Sequence, residues 1–178
     1  MMRLRLSYHA QVFLAGFVAL ALLVAGGWMA WYYYSFPRQT LSNGMTTRIP
    51  RSWKQTDVSV IPEDARPVAV YQDSKNGNNV FSVVRQRSAI GSLDALATAV
   101  GTQMKHKDGG ATVDKKTYLG GTTARPFVLV HGPKGDEQAS VLITINKQEY
   151  LVSAYFPNSQ EKTFGKAAVD VMQKIEVK

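Results

Sequence analysis

The stretch from Ala10 to Pro37 contains no Asp, Glu, Lys or Arg. Its centre, Val12 to Tyr33, is apolar or small almost throughout. At about 1.5 Å per residue, a helix of that length runs roughly 33 Å. The hydrocarbon core of a bilayer is about 30 Å thick, so the segment matches a single crossing. Apart from Arg3 and Arg5, every Lys, Arg, Asp and Glu lies after Pro37. The expected organisation is a cytoplasmic N-tail over 1–9, a transmembrane helix over 10–34, a linker over 35–41 and an extramembrane domain over 42–178.

A cleaved signal peptide is the competing reading. Arg3 and Arg5 form a basic leader, Phe13 to Val24 an apolar core, and Ala25-Gly26-Gly27 a small-residue cleavage site. The residues that follow favour a retained anchor. Trp28, Trp31, Tyr32 and Tyr33 form an aromatic belt, with Tyr34 beside them, and Tyr8 serves the opposite interface. Indole and phenol rings settle at the membrane–water boundary, where one end stays apolar and the other meets water. Arg3 and Arg5 favour a cytoplasmic N-terminus and a periplasmic domain at the inner membrane. Arg38, Arg48, Arg51 and Lys54 on the far side weaken that asymmetry without reversing it, because long domains translocate largely regardless of charge. The chain has no cysteine, which suits export but does not require it.

Ala15, Ala19, Gly26 and Ala30 fall on one side of the expected helix, with Gly16 adjacent. Small residues let a second helix approach closely in lipid. The plainer reading is that Gly and Ala are common in such helices. The docking reading makes this stripe a helix-packing face.

The remaining residues suit one domain with its own core. Strand patterns cover Met45 to Ile49, Trp53 to Val60, Val68 to Gln72 and Val80 to Gln86. Further strands run over Thr112 to Leu119, Thr122 to Val130, Ser140 to Ile145 and Glu149 to Phe156. Gly120-Gly121 predicts a tight hairpin, Gly132 to Asp136 a second turn and Asn146-Lys147 a third. Two helices interrupt the strands. Ser92 caps the first, whose apolar face is Leu93, Leu96, Ala97, Val100 and Met104, and Gly109-Gly110 ends it. Asn158 and Glu161 form a capping box for the second, with Phe164, Ala168, Val171 and Ile175 on its face. Val128-Leu129-Val130, Val141-Leu142-Ile143 and Tyr150-Leu151-Val152 are apolar on both faces. A sheet with one wet face alternates instead, so a helix layer covers each side. The expected fold class is α+β, a three-layer α/β/α sandwich around an antiparallel sheet behind one transmembrane helix.

That order of elements resembles a known family. The features are Ile49-Pro50-Arg51-Ser52-Trp53-Lys54, a strand pair, the helix from Ser92, and Tyr118-Leu119-Gly120-Gly121 followed by Thr123-Ala124-Arg125. Two long hairpin strands then pass through Glu149-Tyr150-Leu151-Val152 to a C-terminal helix. The pattern, over about residues 40–178, is similar to the PsbP-like fold, named for an extrinsic subunit of photosystem II. The resemblance implies an accessory or binding protein with no shared catalytic motif. Bacterial lipoproteins and inner-membrane proteins share the fold. The anchor departs from the plant members, which are soluble.

No catalytic set stands out. His106 lies between Lys105 and Lys107 near a helix end, where the dipole favours a cation. His131 stands before a turn, within reach of Asp136 or Glu137, an acidic pair that reads as solvated. No metal-ligand spacing, nucleophile elbow or phosphate loop appears, and Arg125 and Asp114 join no acid–base set. The chain carries a net charge of +8. Arg85 and Arg87 read as one strand face, and Lys105, Lys107, Lys115 and Lys116 cluster in sequence. An anionic lipid surface or acidic partner suits that charge better than nucleic acid beside an anchor. The expectation is a non-enzymatic accessory or scaffold subunit without cofactor or metal. Its partners are integral-membrane subunits, of a photosynthetic or respiratory kind, and the lipid bilayer, with no nucleic acid. The alternative is a tethered periplasmic domain that binds a small or lipidic ligand.

Overall fold

The computed structural model describes residues 8–42, 44–59, 67–120 and 124–177. The chain forms two compact units, divided between Pro37 and Arg38. The first is a helix, α1, over Tyr8–Ser35. Its stretch Phe17–Ser35 is long and apolar enough to cross a membrane. The side chains of Phe17, Leu20, Leu22, Leu23, Val24, Trp28 and Met29 are all exposed. No charge occupies its last turn.

The second unit opens with strand β1, Arg38–Ser42, so residues expected to be linker already pair in a sheet. β1 pairs with β2, Met45–Arg48, and β2 pairs with β10, Glu176–Val177. Arg38 bridges this small sheet, donating to Thr46 Oγ1 and pairing with Glu176.

The main sheet has seven antiparallel strands in the order β3-β4-β5-β9-β8-β7-β6. These are β3 Trp53–Gln55, β4 Ala69–Asp73, β5 Asn76–Arg85, β6 Thr112–Leu119, β7 Arg125–His131, β8 Asp136–Ile145 and β9 Gln148–Pro157. The strand expected from Trp53 to Val60 stops at Gln55, and Val60 lies outside the described residues. The turn-rich run after Asp73 is shorter than its composition suggests, because β5 already starts at Asn76.

Each face of the sheet carries its own core. On one face Phe81, Val83, Phe127, Ala139, Val141, Val152 and Phe156 pack with Phe164, Ala168, Val171 and Met172. Trp53 joins them, with its ring 4.6 Å from that of Phe164. On the other face Val128, Val130, Leu142 and Leu151 pack with Leu96, Ala97, Val100 and Met104 of helix α2, Leu93–Asp108. The strands are apolar on both sides because each side meets a helix layer. Ser92 caps α2, its hydroxyl accepting from the Ala95 N–H. Gly109, at φ 80°, ends it and donates its N–H to the Lys105 carbonyl, the left-handed stop that glycine tolerates best.

The second helix departs from expectation at its start. Residues Asn158–Gln160 form a 3-10 turn, Glu161–Gly165 a π turn, and only then does α3 run over Lys166–Gln173. No side chain caps either turn, so the Asn158–Glu161 capping box is absent. The Asn158 N–H is taken instead by the Gly135 carbonyl of the β7–β8 turn. The Gly120-Gly121 hairpin is also not tight. Leu119 pairs with Arg125, so the connection spans residues 120–124, and Gly120 is not in the left-handed region. Gly121 lies outside the described residues.

Asn146-Lys147 is a two-residue turn closed by Ile145 and Gln148, with φ of 50° and 65°. Both positive values identify the type I′ hairpin. Asn suits its position, whereas Lys carries a Cβ penalty. Lys147→Gly should therefore raise stability by about 0.5 kcal/mol, after glycine's own entropy cost is subtracted. A thermal melt of the full chain in detergent micelles checks the sign.

Candidate functional site

The α2 layer does not cover its whole face. The helix packs with β7 and β8 through Val128, Val130 and Leu142. The part of that face formed by β5 and β9 is left as an open cleft of about 830 Å³. Val80, Val84, Ile90, Met104 and Leu151 supply its apolar lining. The loop after β5 forms one rim, held by Glu149, whose carboxylate accepts the Ile90 and Gly91 N–H groups.

The cleft floor is a polar network inside otherwise apolar strands. Gln138, Ser140 and Ser153 are all buried. The Ser140 and Ser153 hydroxyls hydrogen-bond to each other at 2.9 Å. Gln138 Nε2 lies 3.3 Å from Ser140 Oγ and 3.4 Å from Ser153 Oγ. It also donates to Gln103 Oε1 at 3.3 Å, tying α2 to the sheet. At the far end the Tyr155 hydroxyl donates to Asp136. The volume lies within the range of about 300–1,000 Å³ usual for small-molecule sites. Sequence reading missed this floor. Its trace is three polar residues, Gln138, Ser140 and Ser153, at alternate or cross-strand positions in runs otherwise apolar on both faces.

The other face holds an unexpected cluster. His131 Nδ1 is 3.2 Å from Glu137 Oε1, and its Nε2 is 3.6 Å from Asp114 Oδ2. Asp114 reaches it from a bulge between Val113 and Lys115. Glu137 is not solvated, as its place in an acidic turn suggested, but fully buried. Neither of its carboxylate oxygens makes an aligned hydrogen bond. Burial pushes its carboxyl above the usual range, the His131 charge opposes that, and Glu161 and Asp114 add to it. Both nitrogens of His131 face carboxylates. Among the described residues, no group of His, Cys, Asp or Glu could hold a metal ion.

The remaining candidates scatter. Ala19, Gly26 and Ala30 lie exposed on α1, and a Cβ added at Gly26 would meet nothing within 4 Å. Ala15 and Tyr8 are within α1, but their side chains fall outside the described residues, as does that of His106. Trp28 and Tyr32 stack at 6.0 Å and Tyr32 and Phe36 at 5.3 Å, so the aromatic residues line up along one helix end. Trp31 and Tyr33 are exposed beside them. Arg125 is structural. It donates to the Met172 and Ile175 carbonyls at the end of α3, and burial lowers its pKa. Arg85 and Arg87 do not share a strand face, because β5 ends at Arg85. Lys116 pairs with Asp94 at the α2 edge.

No protein-family model and no curated protein sequence matches the chain. Solved structures do. The solution structure of cyanobacterial PsbP (CyanoP) from Synechocystis sp. PCC 6803 aligns with a TM-score of 0.61 at 15% identity, covering 81% of this chain and 93% of that one. A protein from Bacteroides thetaiotaomicron VPI-5482 aligns at 0.46 with 12% identity, over 79% of this chain and 48% of its own. LpqN, involved in cell envelope biogenesis of Mycobacterium tuberculosis, aligns at 0.39 with 11% identity, over 78% and 86%. The protein is α+β, with an apolar N-terminal helix and antiparallel sheets. Its fold is PsbP-like.

Proposed function

We propose that the chain is a non-catalytic accessory subunit of an integral-membrane complex, held by α1 and bracing its partners at the periplasmic surface. The observation that carries this reading is α1 itself. Large apolar side chains project from it on every side from Phe17 to Trp31, an arrangement that water does not tolerate and lipid does. The belt at Trp28, Trp31, Tyr32 and Tyr33 supports a retained span, and the Ala19, Gly26 and Ala30 stripe supports a partner helix. The likeness to cyanobacterial PsbP supports a photosynthetic complex as the first candidate, with a respiratory one next.

Gly26→Leu tests the stripe. A leucine there separates two helices that meet at the glycine, whereas Ala21→Leu lies on the opposite side of α1. The expected result is that Gly26→Leu removes co-purifying subunits in mild detergent and Ala21→Leu keeps them. Retention of the same partners by both variants would sink the stripe as a docking face.

Topology has a separate test. The chain has no cysteine, so Lys134→Cys provides a single thiol in the β7–β8 turn. It should react with an impermeant maleimide in intact spheroplasts. Labelling only after lysis would place the domain in the cytoplasm.

A second reading rests on the cleft between α2 and the sheet. Its volume and buried polar floor suit a tethered domain that binds a small molecule.

A further inference from the structure

We infer that the cleft takes an uncharged amphipathic ligand, an acyl compound whose carbonyl meets Ser153 and whose chain lies along Val80, Val84, Ile90 and Leu151. This rests on the ligand-binding reading and adds the chemical class. The chain is strongly basic, yet among the described residues no Lys, Arg, Asp or Glu lines the cleft. A carboxylate or ammonium entering it would lose water without gaining a counter-ion, which is costly.

The hydrogen bonds of the floor point to the same class. Ser140 is wholly buried, whereas Ser153 lines the cleft. The two hydroxyls share one hydrogen bond, which uses one of their two protons. If Ser140 donates to Ser153, the Ser153 proton is left to point into the cleft. The reverse orientation would leave the proton on the inaccessible Ser140. Gln138 donates its amide protons within the network and cannot accept this one through Nε2. With Ser140 as the donor, the cleft presents the Ser153 O–H from its polar floor, between apolar walls, and a carbonyl satisfies it. The shape fits as well: the cleft opens to solvent and admits a chain lying lengthwise along the partly covered faces of β5 and β9.

The test uses the full chain in phosphatidylcholine nanodiscs, with methyl groups of Ile, Leu, Val and Met isotopically labelled. The probes are monodecanoylglycerol, decanoate at pH 8 and decyltrimethylammonium. Ile90, Leu151 and Met104 report on the cleft, and Ile143 and Met172 on the other face of the sheet. Monodecanoylglycerol should shift the cleft methyls saturably and leave the reference methyls in place. Decanoate and decyltrimethylammonium should bind about tenfold more weakly or worse, about 1.4 kcal/mol. Ala99→Trp, a substitution at an exposed α2 position on the cleft rim, should abolish the shifts while reference signals stay native. Ser153→Ala should weaken binding by about tenfold. Equal binding of decanoate would overturn the uncharged class while leaving the ligand reading intact. Absence of any saturable shift with all three probes would overturn both. Unchanged binding by Ala99→Trp would place the probe elsewhere and overturn the site.

Discussion

Gly165→Ala should destabilise the domain by about 2 kcal/mol, although alanine is the better helix former. The backbone at Gly165 is ordinary right-handed helix, φ −58° and ψ −49°. Propensity alone would make alanine favourable by about 1 kcal/mol. The surroundings reverse that sign. An added Cβ would stand 2.7 Å from both Cε2 and Cζ of Phe156, closer than real contacts allow. Phe156 is 1% exposed and its ring lies 5.8 Å from that of Phe164, so it has nowhere to swing. Overpacking of this kind costs about 3 kcal/mol at its upper range, leaving a net loss of about 2. A Phe156→Leu background removes the ring and should turn Gly165→Ala neutral or stabilising. Urea unfolding of the four proteins, followed by near-ultraviolet circular dichroism, measures the coupling. Equal effects of Gly165→Ala in both backgrounds would show that the ring is not the obstacle.

Glu137→Met should stabilise the domain by about 2 kcal/mol at pH 8. The wild-type carboxylate is fully buried with neither oxygen in an aligned hydrogen bond. Replacing buried charged groups by apolar side chains of similar volume gains about 1–4 kcal/mol where no charge is left stranded, and His131, whose side chain is 34% exposed and also faces Asp114, keeps water and a carboxylate beside it. The pH dependence fixes the cause. Burial raises the carboxyl above its reference value of 4.5, so between that value and its raised native pKa the native state binds more protons than the unfolded state. Wild-type stability therefore falls as pH rises through that window, and the contribution is fully present only below it. The advantage of Glu137→Met should grow from pH 4.5 upward and then level off. Glu137→Gln should show the same trend with a smaller gain, because its amide remains a buried polar group. A pH-independent difference between Glu137→Met and wild type would assign the effect to packing alone.

Local signals in this chain were legible because their physics is local. Ser92 reads as a helix cap since its hydroxyl needs only an N–H three residues on. The apolar runs of β7, β8 and β9 reveal two covered faces because each side chain's face follows from its place in the strand. Where neighbours distant in sequence compete, local reading fails. Asn158 has the right spacing to Glu161 for a capping box, but the carbonyl that takes its N–H belongs to Gly135. Gly120-Gly121 looks like a tight hairpin, but the register of β6 against β7 closes the pair earlier, at Leu119 and Arg125. His131 was legible as within reach of Asp136 or Glu137, of which it meets Glu137, whereas Asp114 joins it only through a bulge. The cleft is the extreme case. Ser140 and Ser153 lie opposite each other only once β8 and β9 pair, and Ser153 lines a cleft only because α2 stops short of β5. Nothing in either residue's immediate sequence marks that outcome.

The small sheet of β1, β2 and β10 has a mechanical meaning. Phe36 and Pro37 alone separate the end of α1 from Arg38, so any tension along α1 reaches the domain at the first residue of β1. Arg38 pairs with Arg48 at the open end of the β1–β2 hairpin, away from its turn. A pull there loads the ladder one hydrogen bond at a time, peeling it, whereas a pull along both strands would shear all bonds together. The contact between Arg38 and Glu176 takes the load first, and its loss frees β1 from the final strand. Leu41 of β1 and Met45 of β2 are buried in the same core as Phe81, Val141 and Met172, and Thr47 of β2 donates to the Val171 carbonyl of α3, so a load on the hairpin passes into the sandwich core. The β1–β2 hairpin thus couples α1 to the interior of the domain, because β1 cannot leave its sheet without drawing Leu41 out of the core.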